Sequence, residues 1–174
     1  SGTHMDMDMD MDMDMCMHMH MYAHVTCTCA CACAVHAKFR EYGSDVSRSY
    51  CLNGFDDEVA ELPGSYGPPH GGLLLLTAEG GQPAGMVGVR PLGDGIAEMK
   101  RLFVRPAWQE RGYGRLLTLA AIGHARESGF ARLRLDTLGH MKAARALYAD
   151  LGFVDIPPYH DDAAPGMSFM ELAL

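Results

Sequence analysis

Hydrophobic and polar positions in the body of the chain form short strand-like runs that glycine-containing turns separate. The runs "GLLLLTAE" (72–79) and "PAGMVGVRPL" (83–92) are joined by the turn signal "EGGQ", which predicts a β-hairpin. A second turn, "GDG", leads into "GIAEMKRLFV" (95–104), which extends the hairpin into a three-stranded meander. A sheet with antiparallel strands is therefore the first prediction.

After the meander, helical spacing and strand alternation follow one another. A largely apolar helix is predicted over residues 114–128, and "ARLRLDT" (131–137) predicts a strand. The stretch "GHMKAARALYADLG" (139–152) places an apolar stripe on one helical face, and "FVDI" (153–156) and "SFMELAL" (168–174) predict closing strands. The pattern indicates an α/β domain around a mixed central sheet.

Before the meander the pattern is weaker. It predicts a strand near residues 22–28, a helix over 30–42 with Thr28 as its N-cap, and a short helix over 56–62. The loop "LPGSYGPPHGG" (62–72) is irregular, and loops of this length in compact domains are often functional.

Composition narrows the class of protein. The 174 residues are 48% hydrophobic and 21% charged, which is typical of one globular domain. The net charge of −8 argues against a nucleic-acid binder, and no run reaches the roughly 20 apolar residues of a membrane helix. The cysteines lack the spacing of a disulfide framework and no export signal is evident, so we expect a cytoplasmic protein.

The N-terminal tract is a low-complexity sequence. "SGTHM" resembles a cloning scar, and residues 5–33 alternate almost strictly, as in "MDMDMDMDMD". We interpret residues 1–21 as a tag remnant followed by a solvated arm or edge strand, and residues 22–174 as the domain. An alternative is Cu(I) or Zn binding by Cys16, His18 and His20.

The turn "QERGYGR" (109–115) carries the strongest chemical signal. It joins an apolar run to the start of the helix at 114, where free backbone N–H groups and the helix dipole favour an anion. Gly112 and Gly114 allow close backbone approach, and Arg111 and Arg115 can neutralise phosphate charge. The turn lacks the GK[ST] of an ATP-binding loop and the third glycine of a dinucleotide fingerprint. It therefore predicts a different phosphorylated ligand.

Two motifs together resemble the GNAT superfamily of N-acetyltransferases. "LFVRPAWQERGYGRLL" is similar to that family's acetyl-CoA motif, a strand followed by [RQ]xxGxG/A and a helix, and "ALYADLGFV" is similar to its LYxxLGF signature. The resemblance covers about residues 73–174. It implies a GNAT fold, an α/β fold in which helices flank a mixed sheet that is splayed at a bulged strand.

The resemblance also implies residue roles, with acetyl-CoA as co-substrate. Two groups of residues match cofactor contacts: the turn that holds the pyrophosphate, and the strand end that pairs with the pantetheine amides. The residues of the turn are Gln109, Arg111, Gly112, Tyr113, Gly114 and Arg115, and those of the strand end are Leu102, Phe103 and Val104.

The catalytic roles implied are an acid and a base. Tyr148 matches the tyrosine that protonates the leaving thiolate. Glu98 is the best-placed base, because strand alternation would put it in line with Lys100 and Leu102. Asp136 and a water chain remain alternatives. Met141 stands where the family often has an asparagine that contacts pantetheine, so contact from this helix is expected to be apolar or weaker.

The acceptor side is less defined by the sequence. Tyr66 and His70 are candidates for a substrate lid, and Tyr159 and His160 for acceptor contacts, although packing explains each equally well. Three acidic residues would suit a cationic amine, namely Glu41, Asp56 and Asp57. A local group of arginines, Arg126, Arg132 and Arg134, is most simply a solvated face.

The leading hypothesis is direct transfer of an acetyl group from acetyl-CoA to the primary amine of a small molecule, without a covalent acyl-enzyme. A CoA-binding sensor or partner module without turnover is the alternative. No nucleic-acid or membrane partner is expected, and a homodimer is left open.

Overall fold

The computed structural model describes residues 23–27, residue 40 and residues 55–174. The strands are β1 (Ala23–Cys27), β2 (Gly72–Ala78), β3 (Pro83–Gly93), β4 (Ile96–Val104), β5 (Arg132–Leu138), β6 (Val154–Ile156) and β7 (Met167–Ala173). The α-helices are α1 (Phe55–Ala60), α2 (Tyr113–Glu127) and α3 (Lys142–Asp150). Two predictions lie outside the described residues. They are the arm at 1–21, with its metal-binding alternative, and the helix at 30–42, of which only the helical Arg40 is described.

The described strands form one mixed sheet in the order β1-β2-β3-β4-β5-β7-β6. β4 and β5 pair in parallel, and all other neighbours pair antiparallel. The predicted meander is β2-β3-β4, and the predicted α/β class is confirmed. The parallel step is the crossover through α2, which packs against β2, β3, β4 and β5.

Alternation along the strands gives the sheet two apolar faces. Leu74, Val87 and Met99 pack with buried side chains of α2, such as Leu117, in the larger cluster. The neighbouring positions on the other face build a smaller cluster of Val59, Tyr66, Leu73, Met86 and Phe103. The sheet is therefore covered on both faces near the middle of β4.

A β-bulge interrupts β4 and splays it from β5. Met86 pairs with Phe103 and Gly88 with Lys100, so β4 has one extra residue, and Arg101 takes a φ of +59°. The parallel pairing of β4 with β5 stops at Glu98 opposite Arg134. The expected splayed sheet is thus confirmed, and a cleft opens between the ends of these two strands.

The bulge overturns one prediction from alternation. Glu98 and Lys100 lie on the same face and come within 3.6 Å of each other, but Leu102 packs with the α2-side cluster. The extra residue reverses the facing of every later side chain in the strand. The expectation that Leu102 is in line with Glu98 is therefore wrong.

The helix predicted over residues 139–152 is shorter in the structure, where it begins at Lys142. The N–H of Gly139 donates to the Gly166 carbonyl oxygen at 2.7 Å, and a Cβ at Gly139 would come within 2.8 Å of that oxygen. This close approach of the 166 loop holds residue 139 outside the helix.

Candidate active site

A cavity of about 680 Å³ lies where β4 and β5 diverge. Its wall includes Met99 and Leu102 from β4, Leu135 from β5 and Tyr148 from α3. Side chains from α1, from the loop after α1 and from the 157–166 loop complete it on the other side. The cavity therefore joins the strand opening to the segments that the sequence assigned to the acceptor.

The turn 109–115 lies beyond β4 and opens α2. Gly112 is the N-cap with a φ of +77°, a left-handed conformation that favours glycine, and no side chain caps this end of the helix. The N–H groups of the first helical turn have no earlier carbonyl within the helix to bind. Since α2 is 15 residues long, its dipole adds partial positive charge at this end.

Contacts within the turn hold its shape. The Gln109 side chain donates from Nε2 to the Val104 carbonyl oxygen at 3.1 Å, which ties the turn back to the end of β4. Tyr113 stacks on Trp108 with 6.1 Å between ring centroids, and the Arg111 guanidinium lies 5.0 Å from the Trp108 ring centroid. These contacts within the protein hold the turn in its conformation.

Gly114 and Arg115, the remaining members of the turn, provide space and positive charge for a ligand. A Cβ on Gly114 would meet nothing closer than Leu147 at 3.8 Å. Arg115 forms an ion pair with Asp150 of α3, on the protein surface, so its charge is shared with that carboxylate. The turn therefore meets the chemical requirements of a pyrophosphate site: backbone donors, a helix start and nearby arginines.

The end of β4 has the form that a pantetheine chain requires. Beyond the bulge, β3 pairs with one edge at Phe103 and Val104, whereas the pairing with β5 has already ended on the other edge. An extended chain with amide groups can enter there like an added strand. The residues at the strand end and in the turn thus fit acetyl-CoA in their chemistry.

Tyr148 lies on the cavity wall, although only 5% of its surface is exposed. Its ring packs against Phe153 at 5.8 Å between centroids, so packing fixes its orientation. Met141, at the start of α3, is 46% exposed and lines the same cavity, and the Thr137 hydroxyl donates to its sulfur at 3.9 Å.

Glu98 lies below the cavity surface and is fully engaged. It is 1% exposed and does not line the cavity. Arg90 donates to Oε2 from Nε at 2.8 Å and lies 2.7 Å away through Nη2, and the Tyr159 hydroxyl donates to Oε1 at 2.8 Å. Burial, followed by the negative charge of Glu98, raises the pKa of Tyr159, which keeps the phenol protonated as the donor. The structure does not bring the Glu98 carboxylate into contact with the cavity.

Asp136 does reach the cavity, together with Lys100 and His160. The Lys100 ammonium donates to both Asp136 oxygens at 2.9 and 2.8 Å, and His160 Nε2 lies 3.2 Å from Oδ2. Burial alone would raise the pKa of Asp136. The attraction and hydrogen bonds of Lys100, with help from His160, outweigh it and hold the pKa below its usual value. Asp136 is therefore an ionised carboxylate at neutral pH.

A second charged cluster connects α1 to the bulge. Arg101 binds Glu58 from Nε at 3.2 Å and from Nη2 at 2.5 Å, and the Tyr66 hydroxyl donates to Glu58 at 2.5 Å. Burial alone would raise the pKa of Glu58, but these hydrogen bonds and the positive charges of Arg101 and Arg90 lower it. The α1 side of the cavity is thus anchored to the residue that makes the bulge.

Several sequence-based candidates change role. Tyr66 is 2% exposed and belongs to the smaller core cluster, and it also lines the cavity. His70 does not line the cavity and contacts Phe130 instead. His160 lines the cavity, whereas Tyr159 reaches Glu98 behind it.

The charged groups named from the sequence also separate. Asp57 lines the cavity, Asp56 does not, and Glu41 lies outside the described residues. The arginine group is largely paired, since Arg134 and Arg132 lie 2.7 and 3.9 Å from Glu171. Arg126 is exposed.

Sequence reasoning did not find Glu58, Arg90 or Arg101. A signal existed for Arg90, because the short "GDG" turn sets a hairpin register that places Arg90 opposite Glu98. No local signal pointed to Glu58 and Arg101, which are 43 residues apart.

Comparison with known proteins identifies the family. The model of the Acetyltransferase (GNAT) family matches residues 40–153. The chain is 36% identical over 141 residues to an uncharacterised N-acetyltransferase of Schizosaccharomyces pombe, a match that covers 80% of this chain and 84% of the relative. The chain belongs to the GNAT acetyltransferase family.

Solved structures of GNAT proteins share the fold. A GNAT-family acetyltransferase from Staphylococcus aureus superposes with a TM-score of 0.72 at 15% identity, over 87% of this chain and 98% of that one. A Bacillus subtilis acetyltransferase in complex with CoA superposes with a TM-score of 0.56 at 21% identity, over 68% and 83%.

As a GNAT protein the chain is an acyltransferase, and its acetyl donor is acetyl-CoA. No helix in the described ranges is long and apolar enough to cross a membrane. Among the same residues, no group of three or more histidine, cysteine, aspartate or glutamate side chains could hold a metal ion.

Proposed function

We propose that this GNAT protein transfers the acetyl group of acetyl-CoA directly to the primary amine of a small molecule. The observation that carries the proposal is the cavity of about 680 Å³ at the splayed ends of β4 and β5, with Tyr148 on its wall. A volume of this size suits a small acceptor placed against a thioester that enters between the strands.

In this proposal the donor is held at two places. The first is the turn, where the backbone of Gln109, Arg111, Gly112, Tyr113, Gly114 and Arg115 binds the pyrophosphate. The second is the end of β4, where Leu102, Phe103 and Val104 pair with the pantetheine amides and their backbone polarises the thioester carbonyl. The bracing by Gln109 and Trp108 supports the first, and the early end of the β4–β5 pairing supports the second.

The acceptor is expected to be cationic. The basic groups of the cavity are engaged by carboxylates: Lys100 by Asp136, Arg90 by Glu98 and Arg101 by Glu58. The exposed carboxylates of Asp57, Glu61 and Asp162 also line the cavity, so they leave it with excess negative charge. This balance favours amines, and especially diamines, over anionic acceptors.

The test is release of free thiol from acetyl-CoA in the presence of a panel of monoamines, diamines and amino acids. We expect one or more small amines to accelerate thiol release, with diamines ahead of amino acids. Tight CoA binding without acceleration by any small amine would contradict the proposal.

Tyr148 is proposed as the acid that protonates the leaving thiolate. Tyr148→Phe keeps the ring that packs on Phe153 and removes only the hydroxyl, so we expect kcat to fall by about 100-fold or more while the Kd for CoA stays close to that of the wild type. Tyr113→Phe is the matched control, because the role proposed for Tyr113 belongs to its backbone, the residue lies outside the cavity lining and its ring stacking is retained. A Tyr148→Phe enzyme with the wild-type rate would exclude the acid role.

A further inference from the structure

We propose that Glu58 is a positioning residue: by holding Arg101, it keeps the β-bulge of β4 in the conformation that opens the end of this strand to the donor. In this inference Glu58 acts through the backbone of Arg101 and touches none of the reacting atoms. The inference rests on the proposed function only where that function places the pantetheine amides at the end of β4.

The bulge requires a backbone conformation that arginine rarely adopts. The pairing of β3 with β4 shifts by one residue across Arg101 and Leu102, and Arg101 takes a φ of +59°. In this left-handed region the Cβ lies too close to the following carbonyl oxygen, so a residue other than glycine keeps the conformation only where surrounding contacts hold it. The bulge therefore needs a restraint on Arg101 from outside β4.

The carboxylate of Glu58 supplies such a restraint. It accepts hydrogen bonds from Nε and Nη2 of Arg101 at 3.2 and 2.5 Å, one on each oxygen. Two parallel hydrogen bonds between a guanidinium and a carboxylate fix orientation as well as distance. The Arg101 and Glu58 side chains are only 14% and 17% exposed, so salt and water screen the pair weakly. The pair therefore fixes the direction of the side chain that leaves the bulge.

Glu58 is itself held in place from β3. The Tyr66 hydroxyl donates to its Oε1 at 2.5 Å. The Tyr66 ring can lie directly on β3 because Gly88 has no side chain, and a Cβ there would come within 2.6 Å of the ring. Gly88 pairs with Lys100, the residue that precedes Arg101. Contacts from β3 through Tyr66 and Glu58 thus return to β4 at the bulge.

The conformation of Arg101 determines which backbone groups the donor meets. Beyond the bulge, Phe103 and Val104 pair with β3, and the pairing with β5 has ended on the other edge. The backbone groups of successive strand residues point to opposite edges, so a strand without the extra residue would exchange the groups that face the open edge. Loss of the bulge is therefore expected to weaken donor binding.

A direct contact with the acceptor is the competing explanation for any effect of Glu58, because this residue also lines the cavity. The two explanations differ in the ligand that they affect. A residue that holds the bulge changes the Kd for CoA, whereas an acceptor contact changes the KM for the amine and leaves the Kd for CoA as it is.

The first test compares Glu58→Gln with Asp56→Asn by calorimetric titration with CoA. Glutamine keeps the size of the side chain but loses the charge and one acceptor of the paired hydrogen bonds, so we expect the Kd for CoA to rise by about 10-fold. Asp56 is an exposed carboxylate on the same helix outside the cavity lining, and Asp56→Asn is expected to bind CoA like the wild type. An unchanged Kd for CoA in Glu58→Gln would overturn the inference.

The second test separates the backbone of Arg101 from its charge. Arg101→Ala and Arg101→Gly both remove the guanidinium, but only glycine takes a φ of +59° without conflict at Cβ. We expect Arg101→Gly to bind CoA more tightly than Arg101→Ala by about threefold or more, and Glu58→Gln to cause no further loss when it is added to Arg101→Gly. Equal Kd values for the two single variants, or a further loss in the double variant, would overturn the inference.

These titrations need no acceptor, so their outcome is distinct from that of the proposed function. The Arg101 comparison decides the inference even where Glu58→Gln does not fold, which thermal unfolding of each variant reports. Wild-type protein that binds CoA but releases no thiol with any small amine would contradict the proposed function and leave this inference standing. A wild type that does not bind CoA would overturn both.

Discussion

Lys100 and Arg90 each pair with a carboxylate at or beneath the cavity surface. Each neutralises a neighbour, Asp136 and Glu98 respectively, and the side chain of Lys100 is only 16% exposed. A buried pair of this kind contributes little net stability as a pair, but removing one partner leaves the other charge uncompensated. The expected consequence is a strong dependence of folding on the Asp136 charge.

Asp136→Asn tests this dependence. At pH 7 we expect the free energy of unfolding to fall by about 1–3 kcal/mol, because Lys100 keeps its charge and loses its main acceptor. The folded-state pKa of Asp136 is lowered, so its contribution is fully present above the unfolded value of about 3.9 and is lost as the pH falls through the folded pKa. The gap between wild type and variant should therefore close below about pH 4.

Urea unfolding from pH 2 to pH 7 measures that gap. Asp161→Asn serves as the control, because Asp161 is exposed and no ion pair with it is found in the described chain. A gap for Asp136→Asn that is constant across this range would contradict the assigned ion pair.

Sequence reasoning at this scale pointed to single residues through motifs and missed partners that are distant along the chain. Tyr148, which the motif indicated, lies on the cavity wall, and its acid role stays a prediction. The pairing of Glu98 with Arg90 could have been anticipated from the hairpin register, but its hydrogen bond from Tyr159 joins residues 61 positions apart. Only the folded sheet brings such groups together.

At the scale of elements, the turn 109–115 and the start of α2 form the unit that we propose binds an anion. The φ of +77° at Gly112 allows the chain to enter the helix with its first N–H groups exposed. The turn-to-helix junction was predictable because glycine and arginine signals are local. The β-bulge was expected only from the resemblance to the GNAT family, because it requires Arg101 at a φ of +59° and nothing in "MKRLFV" itself marks that residue.

Gly112→Ala tests the anion-binding unit. An alanine at this φ costs about 1–2 kcal/mol of folding free energy and shifts the turn, so we expect the Kd for CoA to rise by about 10-fold or more. Gly80→Ala is the matched control, because Gly80 has a φ of +76° in open space between β2 and β3.

Calorimetric titration with CoA and thermal unfolding separate the two effects. Both variants should lose similar stability, and only Gly112→Ala should bind CoA more weakly. Equal weakening of CoA binding by both variants would attribute the effect to general stability and remove Gly112 from the site.

At the scale of the whole molecule, function depends on a sheet that is continuous at one end and divided at the other. β4 and β5 pair at Glu98 and Arg134 and have diverged by Leu102, and we propose that this opening is the path of the donor through the sheet. Helix α2 presents its positive end to that path, and α3 places Tyr148 on the cavity wall. In the proposed function the donor and acceptor therefore meet inside the fold, where direct transfer needs no covalent intermediate on the protein.

The most direct test of this account follows the acetyl group itself. The enzyme is mixed with acetyl-CoA carrying a labelled acetyl group, first alone and then with an active small amine, and protein and small-molecule fractions are separated after rapid quenching. The account predicts no label on the protein without acceptor, and label on the amine nitrogen at the rate of thiol release. Label that accumulates on the protein before it reaches the amine, or that never reaches a small amine, would contradict it.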